Sequence, residues 1–456
     1  MAYGSMFIKC ALPTRCRPIL LFIVLSLPTG LAITSTIYFL WMIISDGKNT
    51  WYPYAEVFLL VLFLTLVWMR HLKEENLHLV KKLCIQKVSV PTALMLLALV
   101  FGAVVSFTFS LKLANINPWG GWDAWARINL KARFLFAGGD HWTWIFEGIR
   151  IYHHDYPLLL QCTIARLWTW NGGITLNIPQ ILSVLWGIWS FFILYYVIAW
   201  LRSPVMAVIA GLAYLTYTPL LFWSAMQYSD IPLACYMMLA CAMMIAVTQF
   251  PNHSQNYTFL AGFFAGSAAW CKNEGIVFAL LIILWLFFLI LRRFLYNPKR
   301  ATITFIIGFC IIGSSTVLLK LGFAINSDLV TSQLSHYELF VDSMRHKIIL
   351  EYFGLLAQSY WQGWPLLILA LAFALYQYPY RKATNLGALF CTLSMMVIYY
   401  AVFVLTPHDL TWHLNTAMNR LVLHIWPILL ISLAVLFEDK NKNKPLLKIS
   451  AGDRPI

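Results

Sequence analysis

The chain has 456 residues, of which 61% are hydrophobic and only 11% are charged, whereas soluble domains carry roughly 25% charged residues. This composition excludes a soluble globular enzyme and indicates a polytopic membrane protein. Lys and Arg outnumber Asp and Glu by 32 to 18, but the basic residues are scattered between apolar segments and share no face, so we expect no nucleic-acid partner.

Long apolar segments dominate the chain, and a helix needs ~20 apolar residues to cross a bilayer. We therefore predict an all-α, polytopic membrane protein with about 12 transmembrane helices and additional juxtamembrane helices on the outer face. The predicted spans are 18–43, 54–69, 91–111, 178–200, 204–222, 231–249, 257–271, 275–291, 301–323, 363–377, 385–405 and 421–437. The nine cysteines include no CxxC pair, which excludes a disulfide framework and a cysteine zinc site.

The distribution of Lys and Arg predicts the orientation, because short cytoplasmic loops are enriched in both. An N-terminus on the inside places 20 of the 32 basic residues inside. We therefore expect a bacterial inner-membrane protein with both termini cytoplasmic and a basic tail at 438–456. Segment 157–170 is short and contains Arg166, so we predict a helix lying in the outer interface; a span there would move the basic loop 292–300 outside.

The long outer loop 112–177 carries the most unusual stretch, which includes WDAWARINLKARF. A short helix from Trp122 to Phe136 would place Asp123, Arg127 and Lys131 on one face, four residues apart. One interpretation of Asp123 is a first-turn acid that is favoured by the helix dipole and paired with Arg127. The alternative is a functional carboxylate, because a carboxylate in a tryptophan-rich interface is costly to desolvate.

Further along the same loop stands the sequence YHHDYP. Imidazole and carboxylate groups are usual ligands of divalent ions. The segment offers them at His153, His154 and Asp155, and His141 lies earlier in the same loop. Adjacent residues seldom share a face, however, and no HxxxH spacing occurs. We favour Asp155 as the cap of a helix that begins at Pro157, with the Asp155 side chain also facing the cavity of the site. A divalent metal is the alternative.

Three other outward positions combine charge with an apolar setting. Asp230 lies at the predicted start of a span, where a helix cap is the simple explanation. Lys272 and Glu274 lie between two apolar runs, where they either neutralise each other or offer an ammonium to a lipid phosphate. Arg420 begins the last predicted span, where anchoring in the interface competes with phosphate binding.

Together these residues resemble the GT-C class of integral-membrane glycosyltransferases, which includes protein O-mannosyltransferases and the lipid A aminoarabinose transferase. The likeness covers about 91–437, with 1–90 as an N-terminal two-helix membrane addition. It rests on five motifs, in this order: WDAWARINLKARFLFAGG, HHDYPLLL, QYSDIPLA, WCKNEG and TPHDLTWHLNTAMNRL. His154 occupies a place where proline is expected, and no second acid adjoins Asp123 as in protein O-mannosyltransferases.

The resemblance implies an inverting glycosyltransferase that moves a sugar from a polyprenyl-phosphate donor to an acceptor hydroxyl at the periplasmic face. The acceptor class is a glycolipid, a polysaccharide or a protein, and membrane lipids surround the site. Asp123 corresponds to the catalytic base. Asp230 corresponds to the second acid, and Lys272 and Arg420 correspond to basic positions near the donor phosphate. Beside these residues we predict Asp155, His154 and Glu274 for positioning donor or acceptor and Arg127 for the donor phosphate.

The alternative from a different class is a multi-span secondary transporter or lipid flippase. Transporters usually carry their decisive polar groups inside the spans and show two related halves. Here the predicted spans are nearly free of charge and the outer loops are heavily charged, which favours the enzyme. The sequence predicts no certain cofactor and leaves a divalent metal open.

Overall fold

The computed structural model describes residues 1–12, 19–72, 90–147, 153–295, 297–324, 337–360 and 386–436. Within these ranges the chain is helical and contains no strand, which confirms the all-α class. The α-helices are α1 (Ala2–Ala11), α2 (Ile19–Ile44), α3 (Tyr52–Leu72), α4 (Val90–Ile116), α5 (Asn129–Ala137), α6 (Leu159–Asn171), α7 (Asn177–Leu201), α8 (Pro204–Leu215), α9 (Thr218–Trp223), α10 (Asp230–Gln249), α11 (Ser254–Cys271), α12 (Asn273–Leu291), α13 (Pro298–Gly322), α14 (Ser343–Tyr360), α15 (Leu386–Val404) and α16 (Leu410–Leu436). A π-helical turn (Ala124–Ile128) and 3₁₀ turns (Gly139–Phe146, Pro251–His253, Tyr337–Val341) complete the described elements.

Nine helices in the described ranges are long and apolar enough to cross a membrane, namely α2, α3, α4, α7, α10, α12, α13, α15 and α16. The chain is therefore a multi-pass membrane protein. The predicted span at 363–377 and the predicted tail at 438–456 lie outside the described residues.

Two predicted spans have different bounds in the structure. The span at 204–222 is two helices, α8 and α9, because Pro219 has no amide hydrogen and its ring excludes a helical carbonyl one turn earlier. The last span begins at Leu410 and not at 421, because the Asp409 carboxylate accepts the Trp412 amide hydrogen at 2.7 Å and starts the helix there. Arg420 consequently lies well inside α16.

Helix α2 is hydrogen-bonded into the bundle at the point where its own backbone ladder is interrupted. Pro28 has no N–H group, so the carbonyl of Val24 loses its helical donor. The Trp189 indole of α7 donates to that carbonyl at 2.8 Å, and the Tyr236 hydroxyl of α10 donates to the Pro28 carbonyl at 2.9 Å. These bonds fix α2 against α7 and α10. The predicted division of the chain into an N-terminal addition, 1–90, and a core, 91–437, stays a prediction.

The short helix α6 occupies the segment that we predicted as an outer interfacial helix. Its one cation, Arg166, donates to both carboxylate oxygens of Glu56 in α3, with Nε at 2.9 and 3.0 Å. The Trp170 indole donates to the same carboxylate at 2.7 Å. Because Glu56 is buried, this pair compensates a charge that would otherwise be expensive to hold among apolar helices.

Helices α11 and α13 approach so closely that glycine is required at their contact. A Cβ atom on Gly262 would lie 2.2 Å from the carbonyl oxygen of Phe305, and one on Gly308 would lie 2.0 Å from that of Phe259. Backbone atoms cannot move aside as a flexible side chain can. Small residues therefore set the distance between these helices, as they do in other membrane bundles.

We expect Gly262→Ala to lower the free energy of unfolding by about 1–3 kcal/mol, the usual penalty of overpacking. Thermal unfolding of the purified protein in one detergent measures the effect. Gly354→Ala in α14 is the matched control, because a Cβ there meets no atom within 4 Å and alanine is the better helix former. An unchanged unfolding temperature for Gly262→Ala would show that the two helices can move apart without a loss of stability.

Candidate active site

Four charged residues that are far apart in sequence meet at one end of the bundle. Asp123 follows α4, Asp230 begins α10, Lys272 joins α11 to α12, and Arg420 lies in α16. Salt bridges connect all four in one network. These contacts bring the connections that carry Asp123 and Lys272 and the start of α10 next to α16.

Asp230 is the centre of this network and is 1% exposed. Its Oδ1 accepts from Lys272 Nζ at 3.0 Å and lies 2.9 Å from His424 Nε2. Its Oδ2 accepts from Nη2 and Nε of Arg420 at 3.1 and 3.2 Å. Removing any one partner would weaken the compensation of buried charge. Asp230 contacts both cations from one buried position and so orients both side chains.

His424 connects this carboxylate to a tyrosine. Its Nδ1 lies 2.8 Å from the Tyr399 hydroxyl, and its Nε2 faces Asp230. An ionised carboxylate only accepts hydrogen bonds, so Nε2 carries a hydrogen and donates it to Asp230. The imidazole is completely buried and has a fixed orientation as a result.

Asp123 is the more exposed of the two aspartates, with 16% of its side chain accessible. Arg127 Nη2 and Arg420 Nη1 both contact its Oδ2, at 2.8 and 2.9 Å. Burial by itself would raise the pKa of Asp123, but the two arginines outweigh burial and hold that pKa below its ordinary value of 3.8. The residue is therefore a carboxylate at neutral pH, and no hydrogen bond to its Oδ1 occurs within the described part of the chain.

The backbone around Asp123 has an unusual form. The predicted helix from Trp122 is present, but it opens with the π-helical turn Ala124–Ile128 before α5 begins. Such turns are rare and are often found at functional sites. The predicted common face is only partly realised, because Arg127 pairs with Asp123 whereas Lys131 turns toward a different segment.

Two aromatic rings hold the Arg420 side chain in position. Its guanidinium lies 4.5 Å from the centre of the Tyr228 ring and 5.3 Å from that of Trp223. The Tyr228 hydroxyl also accepts the backbone amide hydrogen of Asp123 at 3.0 Å. Burial and the nearby Asp123 carboxylate raise the pKa of Tyr228 to about 12, so the ring stays neutral and suits a cation–π contact.

Lys272 contacts two carboxylates, Asp230 at 3.0 Å and Glu274 at 2.8 Å. Burial alone would lower the pKa of Lys272, but these two acids raise it above its usual range, so the ammonium is charged. Glu274 uses Oε1 for this bond, and its buried Oε2 has no hydrogen-bond partner among the described residues. That oxygen can accept a hydrogen bond from a bound hydroxyl group.

The HHDYP segment lies beside this network and forms one wall of the site, because Asp155 contacts Asn273. The role of Asp155 differs from the predicted helix cap. Asp155 does not cap a helix that begins at Pro157: α6 begins at Leu159, and no side chain caps it. Asp155 instead is fully buried, and its Oδ2 accepts from Asn273 Nδ2 and from Lys320 Nζ, both at 2.9 Å. The ammonium compensates the charge of the buried carboxylate, and removal of either partner would end this compensation.

His153 and His154 enter this wall through their backbone. The Lys131 ammonium donates to their carbonyls at 2.7 and 3.2 Å, and His153 has a left-handed φ of 52°. Burial and the nearby Arg127 lower the pKa of His153 to about 4, so its imidazole is neutral. In the described ranges no three His, Cys, Asp or Glu side chains form a metal-binding group, and a divalent ion stays an untested prediction.

Sequence reasoning did not identify three residues of this site. His424 lies one turn after Arg420 in an otherwise apolar span, and Lys320 is a lone ammonium in another; a polar side chain inside a span is the signal that identifies both. Tyr228 carried no comparable signal, because tyrosine is common at membrane interfaces.

Comparison with known proteins gives one family match and two similar structures. Residues 173–318 match the family model described as dolichyl-phosphate-mannose-protein mannosyltransferase. No curated protein sequence matches the chain. The fold is similar to that of ArnT from Cupriavidus metallidurans bound to undecaprenyl phosphate, with a TM-score of 0.52 and 16% identity over 75% of this chain and 59% of that chain. The Archaeoglobus fulgidus oligosaccharyltransferase, in complex with zinc and sulfate, aligns with a TM-score of 0.43 and 12% identity over 74% of this chain and 48% of that chain.

Proposed function

We propose that this chain, which has the GT-C fold of the membrane glycosyltransferases, transfers a sugar from a polyprenyl-phosphate donor to an acceptor hydroxyl. The fold agrees with the resemblance drawn from the sequence. The observation that carries the proposal is an ionised carboxylate, Asp123, held by Arg127 and Arg420 at one end of a bundle of apolar helices. The chain spans 59% of the length of ArnT, whose structure contains undecaprenyl phosphate.

The chemistry requires one base and positive charge near the leaving group. The phosphate departs readily from the anomeric carbon of the sugar if cations stabilise its negative charge. In the proposed reaction the acceptor oxygen attacks the anomeric carbon from the face opposite the phosphate, and the configuration inverts. The low pKa of Asp123 makes it a weak base, but the acceptor hydroxyl becomes strongly acidic as its oxygen bonds to carbon, so the proton transfers late in the reaction.

We assign the phosphate to the cations that surround Asp123. Arg420 reaches both aspartates and is 14% exposed, so it is better placed to contact a substrate than Lys272, which is 4% exposed. Lys272, which contacts Asp230, and Arg127, which contacts Asp123, add further positive charge to the site. Glu274, through its buried Oε2, is a candidate to bind a sugar hydroxyl, with Asp155 and His154 completing the wall. This division of roles also agrees with the sequence, which contains no P-loop for nucleotide phosphates.

The proposed location is the periplasmic face of a bacterial inner membrane, with both termini in the cytoplasm. Two observations support it: the excess of Lys and Arg in the opposite loops and the meeting of all outward motifs at one end of the bundle. The acceptor is a glycolipid, a polysaccharide or a protein. A secondary transporter or lipid flippase is the alternative, and it would require no base at Asp123.

Reconstitution separates these functions. The purified chain is placed in liposomes with a radiolabelled polyprenyl-phosphate sugar and an extract of cell-envelope acceptors. A transferase releases polyprenyl phosphate and labels an acceptor, whereas a flippase moves the labelled lipid between leaflets without cleaving it. Mass spectrometry of envelope glycans from cells with and without the protein then identifies the missing sugar. Labelled lipid that changes leaflet without cleavage would contradict the proposed transfer.

Replacing Arg420 by glutamine should raise the KM for the donor by about 10-fold or more, because a charge-assisted bond to phosphate is lost. The KM for the acceptor should change much less. Steady-state titrations of each substrate measure the difference. Arg133→Gln is the control, since Arg133 is an exposed arginine of α5 and lies outside the ion-pair network. A larger effect on the acceptor than on the donor would refute the assignment to phosphate.

A further inference from the structure

Lys320 is a cation of this site that the roles assigned above do not use. It lies in the last turn of α13, and its ammonium donates to Asp155 twice, to the carbonyl oxygen at 2.6 Å and to Oδ2 at 2.9 Å. An ammonium carries three donors, so these contacts occupy two of them. Its side chain is 24% exposed although Asp155 is fully buried.

The charge around Lys320 is less fully compensated than that around Lys272 or Arg420. Lys272 contacts two carboxylates and is 4% exposed, and Arg420 contacts two and is 14% exposed. Lys320 and Arg127 each contact one carboxylate, but Lys320 is 24% exposed whereas Arg127 is 7% exposed. A bound anion can therefore reach Lys320 more readily than the other three cations.

Lys320 belongs to the same site as the other cations. Asn273 donates to the Asp155 oxygen that also accepts from Lys320, each at 2.9 Å, and Asn273 directly follows Lys272. Lys320 thus lies next to the Lys272 and Glu274 corner of the network.

Exposed apolar side chains lie close to Lys320 along α13. On the same helix Val317 is 51% exposed, Leu318 40% and Leu321 75%, and α13 is one of the candidate membrane spans. An apolar chain can lie along this surface while its polar head reaches the ammonium. An ammonium beside an exposed apolar surface suits a ligand in which a phosphate is attached to a long hydrocarbon.

We propose that Lys320 binds the phosphate of the lipid carrier and stabilises the charge that this phosphate gains when it leaves the sugar. This inference rests on the proposed function. In the reaction the bond between the anomeric carbon and the phosphate oxygen breaks, and its electron pair stays on that oxygen. The acceptor oxygen bonds to the carbon, and its proton goes to Asp123. The phosphate changes from a diester with one negative charge to a monoester with about 1.5 to 2.

The extra charge is absent from the bound donor, develops in the transition state and is complete in the product. The expected effect of a Lys320 substitution therefore differs from that of an Arg420 substitution. Lys320→Met should weaken binding of polyprenyl phosphate by about 10-fold or more, the effect of one charge-assisted hydrogen bond. It should lower kcat and leave the donor KM nearly unchanged. Binding is measured by titrating undecaprenyl phosphate into the full chain in nanodiscs, with undecaprenol, which has no phosphate, as the blank.

A purely structural role for Lys320 makes a different prediction. If the ammonium only neutralises Asp155, the double variant Asp155→Asn with Lys320→Met should bind polyprenyl phosphate like the unaltered chain. If Lys320 contacts the phosphate, the double variant should remain weak, and Asp155→Asn alone should bind at least as tightly as the unaltered chain. Lys347→Ala is the matched control, because Lys347 is 65% exposed and makes only a surface pair with Glu351.

The two hypotheses fail in distinguishable ways. Recovery of binding in the double variant, or unchanged binding in Lys320→Met, would overturn the inference and leave the proposed function intact. If the unaltered chain neither binds undecaprenyl phosphate nor cleaves a polyprenyl-phosphate sugar, the proposed function fails and the inference fails with it.

Discussion

Asp123→Asn should reduce sugar transfer by about 10²–10⁴-fold, the usual contribution of a general base. Asparagine keeps the size and the acceptor oxygen of aspartate, so Arg127 and Arg420 can still donate to it, but the amide cannot take a proton from the acceptor hydroxyl. The fold should persist, because Asp123 is the more exposed and the less extensively bonded of the two aspartates. The measurement is the initial rate of transfer at saturating donor and acceptor.

Three controls accompany this experiment. Asp140→Asn alters an exposed aspartate of the same outer loop and should leave the rate unchanged. The unfolding temperature of Asp123→Asn should equal that of the unaltered protein, which separates loss of chemistry from loss of fold. Donor binding should also persist, because Arg420 keeps its contact with Asp230. Full activity in Asp123→Asn would show that another group is the base.

Asp230→Ala should lower the free energy of unfolding by about 3–5 kcal/mol, the cost of breaking a buried ion pair by removing one partner. The substitution leaves Lys272 and Arg420 with less compensation and removes the acceptor of His424. Asp230→Asn should cost less, because the amide keeps one hydrogen-bond acceptor. Thermal unfolding in a single detergent, followed by loss of monodisperse protein, measures both variants.

A matched comparison separates burial from charge. Glu351→Ala removes an exposed carboxylate whose pair with Lys347 spans 3.9 Å, and it should change stability by less than about 1 kcal/mol. Adding Lys272→Met to Asp230→Asn removes one cation together with the anion and should recover part of the loss. An unfolding temperature of Asp230→Ala equal to that of the unaltered protein would show that the network does not hold these helices together.

Much of the site is visible in the sequence because each residue is locally conspicuous. Charged residues stand at the ends of apolar runs, where a charge is costly to desolvate and is often retained for function. These residues are Asp123, Asp230, Lys272 and Arg420. The structure places all four in contact. The start of the last helix was predicted too late, because the apolar pattern begins near 421, whereas the cap at Asp409 begins the helix earlier.

The pairing within the site is not visible in the sequence. Asp230 meets Arg420 across 190 residues, and Asp155 meets Lys320 across 165. No spacing rule connects residues on different helices, because their distance depends on how the helices pack. The same limit explains Asp155, whose position before a proline favours a cap locally but whose nearest cation comes from α13.

The sequence by itself determined that this protein is an all-α, multi-pass membrane protein with charged residues in the connections between its apolar segments. Those properties follow from apolar length and from the desolvation of charge, which act on each segment separately. Only the tertiary structure decided which cation compensates which carboxylate, that Arg420 bridges two aspartates, and that Lys320 belongs to the site. Ion pairs form over a few ångströms between residues of different helices and connections, and helix packing alone determines which of these residues come that close.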